Sequence, residues 1–393
     1  MNNNYDVIVI GAGAAGLMCS IEAGKRGKKV WLIEHSSKLA EKIRISGGGR
    51  CNFTNLYSNP SNFLSNNEHF CKSAFAKYTQ NDFIDLINKH NIKFHEKKLG
   101  QLFCTTSARE IIDMLVAECL EQKVKIDTET KVINLFKKET TYTVNTNKGN
   151  YNSKALVIAT GGLSIPKIGA TDFGYKIAKQ FNLEVNDLSP ALVPLTFQEK
   201  ELQFCKSLAG VSVNASVKIN KTVFEEGLIF THRGISGPSI LQISSYWKHS
   251  KPISINLLPN VDLGKTLKQR RVDNPKQNLS NILSDYLPNK LASAICEKLL
   301  INDKIGEASN AKLKKLSDFV NNWLVFPTGT EGYKTAEVTL GGIDTKAISS
   351  STMECIDHSG LFFVGEVLDV TGHLGGHNFQ WAWSSGFVAG QNV

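Results

Sequence analysis

Closely spaced glycines near the start of the chain could bind a ligand through their backbone. The segment Gly11-Ala12-Gly13-Ala14-Ala15-Gly16 follows an apolar, β-branched run at 6–10 and precedes a helical pattern at 17–26. The first glycine permits a tight turn, the second lets a pyrophosphate reach the backbone, and the third lets helix and strand pack closely. The helix N-terminus also favours phosphate. This spacing predicts an adenine dinucleotide site; the alternative is a purely structural turn.

An acidic residue stands where such a site needs one. The second predicted strand, 29–34, ends in Glu34, at the spacing of about 20 residues that dinucleotide fingerprints show. Its carboxylate can accept hydrogen bonds from both ribose hydroxyls. His35 follows, and no arginine stands nearby in sequence to favour a 2′-phosphate. We therefore expect Glu34 and His35 to contact the adenosine.

Later segments favour FAD among the dinucleotides. Ser20 and Gly27 extend the first fingerprint as in FAD-binding proteins. A predicted strand ending in Ala159-Thr160-Gly161-Gly162 resembles a motif of two-dinucleotide-fold flavoproteins. Another ends in Gly365-Glu366, followed by Asp369, and resembles the late flavoprotein segment that reaches the pyrophosphate and ribityl chain. An ordinary buried strand with a turn is the alternative for this last segment.

Four longer motifs, distributed over essentially the whole chain, resemble those of the YhiN/BaiN-like family of FAD-dependent oxidoreductases. They are SGGGRCNFTN (46–55), THRGISGPSILQISS (231–245), TLGGIDTKAISSSTM (339–353) and GEVLDVTGHLGGHNFQWAWSSGFVAG (365–390). The resemblance implies an α/β fold with a split, two-dinucleotide-binding, Rossmann-like FAD domain. It also implies an inserted β-rich, barrel-like domain and a small helical domain.

Changes in residue pattern agree with that organisation and give its boundaries. We predict a first part of the FAD domain at 1–190 and its C-terminal part at 339–393. The β-rich domain is expected at 191–264, with a return at 325–338. Amphipathic helical spacings predict the helical domain at 265–324.

The resemblance also implies which further residues contact FAD. The glycine-rich loop is expected along the cofactor near the isoalloxazine, and a preceding lysine is expected at the phosphates. The backbone of one strand residue is expected at the adenine, and a late helix N-terminus at the pyrimidine end of the flavin, where it would stabilise the reduced anion. These residues are Lys42, Ser46, Gly48, Gly49, Arg50, Cys51, Asn52, Val132, Gly375, Gly376, Asn378 and Phe379.

Two histidines beside that late segment are candidates for proton transfer. His373 and His377 are proposed as catalytic residues, because an ordinary imidazole titrates near neutral pH. The alternative is that they only support the backbone. His232 offers a weaker candidate of the same kind. Because Cys51 has no partner in CxxC or CxxxxC spacing, a disulfide reductase is not expected.

These motifs predict hydride transfer through flavin N5 to or from a small organic substrate. Only one GxGxxG follows a predicted strand, so NADH or NADPH is expected to bind transiently, with oxygen as an alternative electron acceptor. Two other functions stay open at this point. One is an FAD-dependent RNA-modifying or nucleic-acid-associated protein, and the other is a regulatory flavoprotein without turnover.

Composition indicates the cellular compartment of the protein and argues against several kinds of site. The eight cysteines form no CxxC pair, which argues against zinc ribbons and secreted disulfide frameworks and favours the cytoplasm. We expect no metal site. The apolar-leaning stretch 7–21 is too short for a membrane span, so no membrane association is expected. The oligomeric state is left open.

Net charge is the remaining feature. The formal charge is +9, and 265–318 holds eleven Lys or Arg against six Asp or Glu. No aromatic residues alternate with these basic ones as a base-stacking surface requires. We therefore interpret the region as a solvated helical surface, with a nucleic-acid-binding patch as the alternative, and expect a small-molecule substrate rather than a nucleic-acid partner.

Overall fold

A computed structural model describes residues 3–393. The chain forms two compact units. Unit 1 comprises residues up to Ser189 and from Val338 onward, and unit 2 comprises Pro190–Glu337. The division of the inserted region into a β-rich and a helical domain stays a prediction.

The helices of the described part are α1 (Ala14–Lys25), α2 (Glu41–Ile45), α3 (Lys72–Lys77), α4 (Gln80–Lys89), α5 (Arg109–Glu121), α6 (Phe173–Gln180), α7 (Glu199–Ser207), α8 (Pro238–Ser244), α9 (Leu263–Asp273), α10 (Leu279–Ser284), α11 (Asn289–Leu299), α12 (Asn310–Asn321) and α13 (His377–Gly390). Within residues 3–393, no helix combines the length and the apolar character that crossing a membrane demands.

The strands of the same part are β1 (Asn4–Ile10), β2 (Val30–Ile33), β3 (Asn52–Asn55), β4 (Phe63–Leu64), β5 (Phe94–Glu96), β6 (Gln101–Cys104), β7 (Lys125–Asp127), β8 (Val132–Lys138), β9 (Thr141–Thr146), β10 (Gly149–Ile158), β11 (Ser189–Ala191), β12 (Leu195–Thr196), β13 (Ser212–Ile219), β14 (Thr222–Phe230), β15 (Gly234–Ser236), β16 (Ile253–Asn256), β17 (Trp323–Val325), β18 (Gly329–Thr330), β19 (Val338–Leu340), β20 (Leu361–Phe363) and β21 (Thr371–Gly372).

Unit 1 is built on a mixed sheet with the order β7-β2-β1-β10-β9-β8, in which β20 also pairs with β10. The pairs of β1 with β2 and β10, of β2 with β7 and of β10 with β20 are parallel. Ile10 pairs with both Ile33 and Ile158, so three strands end at the same edge. This arrangement confirms the predicted Rossmann-type α/β fold, because the carboxyl ends of its parallel strands form the ligand edge.

Helices α1 and α13 pack closely because glycines lie where they meet. A Cβ atom on Gly386 would lie 2.5 Å from the carbonyl oxygen of Ala15, and one on Gly390 would lie 2.5 Å from Cβ of Glu22. The contact between α1 and α13 holds the C-terminal helix directly behind the glycine turn.

Unit 1 also contains a small antiparallel sheet, β3-β6-β5, and the antiparallel pair β21-β4.

Unit 2 contains a second sheet, with the order β17-β16-β13-β14-β15-β12-β18. All of its neighbouring strands run antiparallel. Apolar side chains of the strands and of α7 to α12 form one buried cluster that includes Phe230, Ile255, Leu267 and Leu316. The strands and helices of this unit therefore share a core.

Glu118 on α5 is a buried carboxylate of unit 1, with only 1% of its side chain exposed. Its Oε1 accepts hydrogen bonds from Lys89 Nζ at 2.6 Å and from His90 Nε2 at 2.7 Å. Burial raises the pKa of Glu118, but these hydrogen bonds outweigh it and leave the pKa below its ordinary value. The stabilisation is therefore present above the unfolded carboxylate pKa and is lost as pH falls through the lowered pKa.

We expect Glu118→Gln to lower the free energy of unfolding at pH 7 by about 1.5–3 kcal/mol, because it removes a charged hydrogen-bond acceptor. The difference from the native protein should shrink as pH falls towards the carboxylate range. Urea denaturation at several pH values measures both effects. Glu121→Gln, at an exposed position of the same helix, is the matched control and should change stability by less than about 0.5 kcal/mol. Equal stability of Glu118→Gln and the control at pH 7 would contradict this role.

Candidate functional site

The predicted fingerprint forms the turn between β1 and α1. Gly11 has φ +106°, and a Cβ atom on it would lie 2.5 Å from the carbonyl oxygen of Ala159. A Cβ atom on Gly16 would lie 1.9 Å from the carbonyl oxygen of Gly11. Gly13, the N-cap of α1, has no atom within 4 Å of such a Cβ. The outer two glycines therefore pack the turn, and Gly13 leaves open space at the helix N-terminus.

Glu34 closes this turn from the neighbouring strand. Its Oε2 accepts a hydrogen bond from the backbone N–H of Ala12 at 3.1 Å, and its Oε1 accepts from the N–H and Oγ of Ser36 at 3.0 and 2.9 Å. His35 Nδ1 lies 2.9 Å from Oε1. The structure thus brings Glu34 and His35 together with the glycine turn, as the sequence predicts.

Glu34 is held as a carboxylate. Burial raises its pKa, but hydrogen bonds from His35, Ser36 and Ala12 outweigh burial and set the pKa below the ordinary value. The hydrogen bond to Glu34 raises the pKa of His35. The N–H of Thr130 donates to the carbonyl oxygen of Glu34 at 2.9 Å. Val132, the first residue of β8, lies two residues after this contact.

The end of β10 lies against the same turn. The N–H of Ala159 donates to the carbonyl oxygen of Ile10 at 2.8 Å. The next residue, Thr160, has a buried hydroxyl that finds no hydrogen-bond partner within residues 3–393. Gly161 has φ +70°, and a Cβ atom on it would meet no atom within 4 Å, whereas Gly162 lies against Thr339 and Glu366. An unpartnered hydroxyl beside open backbone is a feature that a polar ligand can satisfy.

An ion pair crosses the site between residues distant in sequence. Lys42 Nζ on α2 lies 2.6 Å from Glu366 Oε2, and Glu366 Oε1 accepts a hydrogen bond from the N–H of Thr339 at 2.9 Å. The position of Lys42 at the phosphates stays a prediction; in the structure its ammonium is paired with another predicted site residue. The pair joins α2 to the turn after β20.

The SGGGRCN loop forms a short 3₁₀ turn at Ser46–Gly49 followed by β3. Positive φ values occur at Gly48 and Gly49, where a Cβ would meet no atom within 4 Å. Arg50 is exposed. Cys51 is fully buried, and burial raises the pKa of its thiol. The loop therefore offers backbone and a guanidinium, while the thiol stays protonated.

This loop touches the start of α13. With its amide oxygen directed at α13, Asn52 accepts a hydrogen bond from the N–H of Gly376 at 3.2 Å. Gly376 has φ +98° and is the N-cap of α13. Asn378 bonds both the N–H and the carbonyl oxygen of Gly372, at 2.8 and 2.9 Å, and Phe379 stacks on Trp383 at 5.8 Å. The predicted loop and helix terminus are therefore adjacent.

Gly365 and Asp369 are held by internal contacts. Gly365 has φ +75°, its N–H donates to Ser385 Oγ at 3.0 Å, and its carbonyl oxygen accepts from Trp381 Nε1 at 3.0 Å. Asp369 Oδ2 accepts from the N–H of Asn66 at 3.0 Å and from Asn186 Nδ2 at 2.8 Å. Burial raises the pKa of Asp369. Its carboxylate ties three loops of unit 1 together.

His373 and His377 lie together, with ring centroids 6.5 Å apart. His377 Nδ1 shares a hydrogen bond of 2.7 Å with Ser58 Oγ. Burial lowers the pKa of His373 to about 4, and burial together with His373 lowers that of His377 to about 3. The expectation that they titrate near neutral pH is therefore wrong for this structure, because burial disfavours the imidazolium. Their catalytic role stays a prediction.

Sequence reasoning missed three side chains that organise the site. Ser36 orients Glu34, Ser58 orients His377, and Thr339 accepts a hydrogen bond from the N–H of Leu163 at 2.8 Å. The position of Ser36 two residues after Glu34 was a usable local signal, since short-range hydroxyl contacts are common. Ser58 and Thr339 carry no such signal, because their partners lie far away in sequence.

The residues present fit FAD. The open backbone at Gly13, Gly48, Gly49 and Gly161 is space that side chains would fill. Helices α1 and α13 both begin at a glycine with no side-chain cap, so their first N–H groups can receive phosphate and flavin oxygens. Glu34 would be an anionic acceptor for ribose hydroxyls. Assignment of each contact remains a proposal.

Two glycine substitutions separate packing from cofactor binding. Gly13→Ala should fold with little change in stability, because its Cβ meets open space, yet lower FAD affinity at least tenfold by occupying the pyrophosphate approach. Gly16→Ala should instead destabilise the protein by about 1–3 kcal/mol through overpacking. Thermal unfolding of the FAD-free proteins and FAD titration measure the two effects. Gly13→Ala with native FAD affinity would contradict the cradle.

Removal of the Glu34 carboxylate should weaken FAD binding. A charge-assisted hydrogen bond contributes about 1.5–3 kcal/mol, so Glu34→Ala is expected to reduce FAD affinity roughly tenfold to a hundredfold. Fluorescence titration with FAD measures it, and Asp113→Ala on the exposed face of α5 is the control. An unchanged dissociation constant would mean that Glu34 does not hold the ribose.

Comparisons with known proteins agree on one family. A family model described as HI0933-like protein Rossmann domain matches residues 5–392. Ribosomal RNA dihydrouridine synthase of Escherichia coli (strain K12) is 50% identical, over 99% of this chain and 98% of that protein. The Haemophilus influenzae protein of the same name is 45% identical, over 100% and 99%.

More distant similarities extend to other reductases and dehydrogenases. 3-Dehydro-bile acid delta(4,6)-reductase of Clostridium scindens is 27% identical, over 98% of this chain and 97% of that protein. The crystal structure of 3-ketosteroid delta1-dehydrogenase from Sterolibacterium denitrificans matches with TM-score 0.53 and 14% identity, over 99% of each chain. At that identity the structural match supports the fold alone.

The expected partners need correction. A small-molecule substrate and no nucleic acid were predicted, whereas the relatives at 50% and 45% identity are both named for ribosomal RNA. The prediction that the protein is an enzyme is confirmed, so the alternative of a regulatory flavoprotein without turnover is excluded. The resemblance to the YhiN/BaiN-like family is also confirmed. The chain belongs to the HI0933-like Rossmann family and is an FAD-dependent oxidoreductase.

Proposed function

We propose that this enzyme reduces uridine in ribosomal RNA to dihydrouridine. The observation that carries the proposal is the 50% identity to a ribosomal RNA dihydrouridine synthase over essentially the whole of both chains. The second relative of that name, at 45% identity, supports it. We place the reaction in the cytoplasm.

The chemistry is the reduction of one conjugated double bond. The C5=C6 bond of uracil is conjugated to the C4 carbonyl, so a hydride adds at C6 and a proton adds at C5. FAD, when bound, supplies the hydride from N5 of its reduced form. We propose that NADH or NADPH supplies the two electrons during a transient visit. Each turnover then converts one NAD(P)H, one proton and one uridine into NAD(P)⁺ and dihydrouridine.

The residues of unit 1 suit such a transfer by holding the cofactor rigidly. The glycine turn and the carboxylate of Glu34 would bind the adenosine half of FAD. The start of α13 presents backbone N–H groups, which would stabilise negative charge at the flavin pyrimidine. Because Asn52 bonds Gly376, the SGGGRCN loop fixes the position of that helix start. Rigid placement of the donor is what hydride transfer requires.

The two histidines need a different role from the one that the sequence suggested. With pKa values of about 4 and 3, His373 and His377 are neutral at pH 7. A neutral imidazole donates one hydrogen bond and accepts another. We propose that Ser58 fixes the orientation of His377, and that His373 positions the uracil or a water for protonation at C5.

The test measures flavin reduction and product separately. Purified protein with FAD is mixed anaerobically with NADH or NADPH, and flavin bleaching is followed by absorbance. Deproteinised ribosomal RNA and ribosomal subunits, both from cells lacking this enzyme, are then added. We expect dihydrouridine, measured by mass spectrometry of nucleosides, to accumulate in proportion to NAD(P)H consumed. The FAD-binding variant Gly13→Ala should form less of it.

Two outcomes are decisive against the proposal. Flavin that is reduced rapidly but leaves both RNA substrates unchanged would remove the proposed substrate. Flavin that neither nucleotide reduces would remove the proposed electron donors, and a chemical reductant such as dithionite then shows whether uridine reduction itself occurs.

A further inference from the structure

Unit 2 has a cluster of basic side chains centred on α9. This helix lies antiparallel to α12: Leu263 N–H donates to Asn321 Oδ1 at 3.0 Å, and Arg271 Nη1 donates to Asn310 Oδ1 at 2.8 Å. A Cβ atom on Gly264 would lie 3.6 Å from Ser317 Oγ. The pair is therefore held at both ends.

Arg271 anchors the loop that precedes α12. Its Nε donates to the carbonyl oxygen of Ile305 at 3.1 Å, and its Nη2 donates to that of Ala308. Neutral groups receive these bonds, and within residues 3–393 no carboxylate pairs with this guanidinium. The loop is thus ordered around a cation whose charge is not neutralised.

That loop brings two exposed lysines onto neighbouring segments. The segment 275–278 runs antiparallel to 303–306, with a bridge between Asn278 and Lys304 and a 2.9 Å hydrogen bond from Gly306 N–H to the carbonyl oxygen of Pro275. These contacts place Lys276 and Lys304 on neighbouring segments of the loop region, and both side chains are exposed.

A third lysine lies on α9, whose Arg271 bonds this loop. Lys268 is exposed and lies three residues before Arg271, so both occupy the same side of α9. In the described chain, no ion pair joins Lys268, Lys276 or Lys304 to a carboxylate. We call these three residues the lysine face.

Most neighbouring acidic groups are occupied elsewhere. Ion pairs join Arg270 to Asp285 at 2.9 Å, Lys312 to Asp303 at 2.8 Å and Lys314 to Asp318 at 2.6 Å. Asp273 accepts a hydrogen bond from Gln269 at 2.9 Å. Glu307 is exposed and lies in sequence between Ile305 and Ala308, whose carbonyl oxygens accept hydrogen bonds from Arg271. Three lysines and Arg271 against these two carboxylates leave the face cationic.

We propose that the lysine face binds the phosphate backbone of ribosomal RNA. The proposal rests on the proposed function, which requires the enzyme to hold a polyanion. Lysines serve phosphate binding as flexible point charges without sequence preference. A membrane surface fits less well, because Leu263 and Leu267 of α9 are buried in the core and leave no broad apolar face for lipid.

The test removes the three charges together. One FAD-loaded protein combines Lys268→Ala, Lys276→Ala and Lys304→Ala. It should bind deproteinised ribosomal RNA about tenfold to a hundredfold more weakly than the native protein near 0.1 M salt. The slope of log affinity against log salt should fall by about 2 to 3, since each phosphate contact contributes roughly 0.7–0.9. Filter binding across a salt series gives both values, and circular dichroism checks folding.

Two matched variants make the result specific. The first variant combines Lys206→Ala, Lys221→Ala and Lys248→Ala, at exposed positions of the same unit. It changes the net charge by the same amount and should retain the native affinity for RNA. Replacement of the three face lysines by arginine should also retain it. Equal losses in both alanine triples would show a general charge effect and overturn the lysine face.

The outcomes separate this proposal from the proposed function. Dihydrouridine formation by the native protein, with unchanged RNA affinity in the Lys268/Lys276/Lys304 alanine triple, overturns the lysine face alone. Lysine-dependent RNA binding without dihydrouridine overturns the proposed function alone. Lysine-dependent binding to phosphatidylglycerol vesicles, with no binding to RNA, would assign the face to a membrane and overturn the proposal.

Discussion

The site depends on the close approach of α1 to the ends of β1 and β10. That approach is possible because Gly11 and Gly16 lack side chains: a Cβ atom on Gly16 would lie 1.9 Å from the Gly11 carbonyl oxygen, deep inside van der Waals contact. The same packing places Gly365 against Ala15, so the turn after β20 converges on the helix. Behind it, Gly386 lets α13 lie against α1. Close contacts at these glycines thus set the positions of both helix N-termini that face the proposed cofactor.

Sequence reasoning succeeded where the determining information was local. The β-branched run, the glycine spacing and Glu34 lie within one strand–turn–helix–strand unit of consecutive residues, so their spacing is visible in the sequence. The pairing of Lys42 with Glu366 and of Ser58 with His377 joins residues more than 300 positions apart. Nothing in either local sequence specifies its partner. The prediction of Lys42 at the phosphates followed from its charge and stays a prediction, whereas the carboxylate of Glu366 within 2.6 Å is visible only in the fold.

Titration behaviour also depended on information that only the fold supplies. An imidazole or a thiol has a reference pKa in the unfolded chain, and residue type conveys no more than that. Once His377 is buried against Phe63 and His373, its charged form loses solvation, so the neutral form dominates. Cys51 changes in the opposite sense for the same reason, since burial favours the neutral thiol. Glu34 shows the opposing effect, because four hydrogen-bond donors can keep a partly buried carboxylate ionised.

The error about nucleic acid has a comparable origin. The sequence criterion required aromatic residues among the basic ones, which suits proteins that stack unpaired bases. Backbone phosphate needs only cations that protein carboxylates leave unpaired. Composition counts charges, whereas the fold decides which of them cancel. In the part of the chain that the structure describes, Arg270, Lys312 and Lys314 are paired with carboxylates, while Lys268, Lys276 and Lys304 are not. A modest net charge can therefore hide a locally cationic face. For an enzyme acting on a polyanion, the distribution of unpaired cations is more informative than their total, because binding strength follows the number of phosphates that are neutralised.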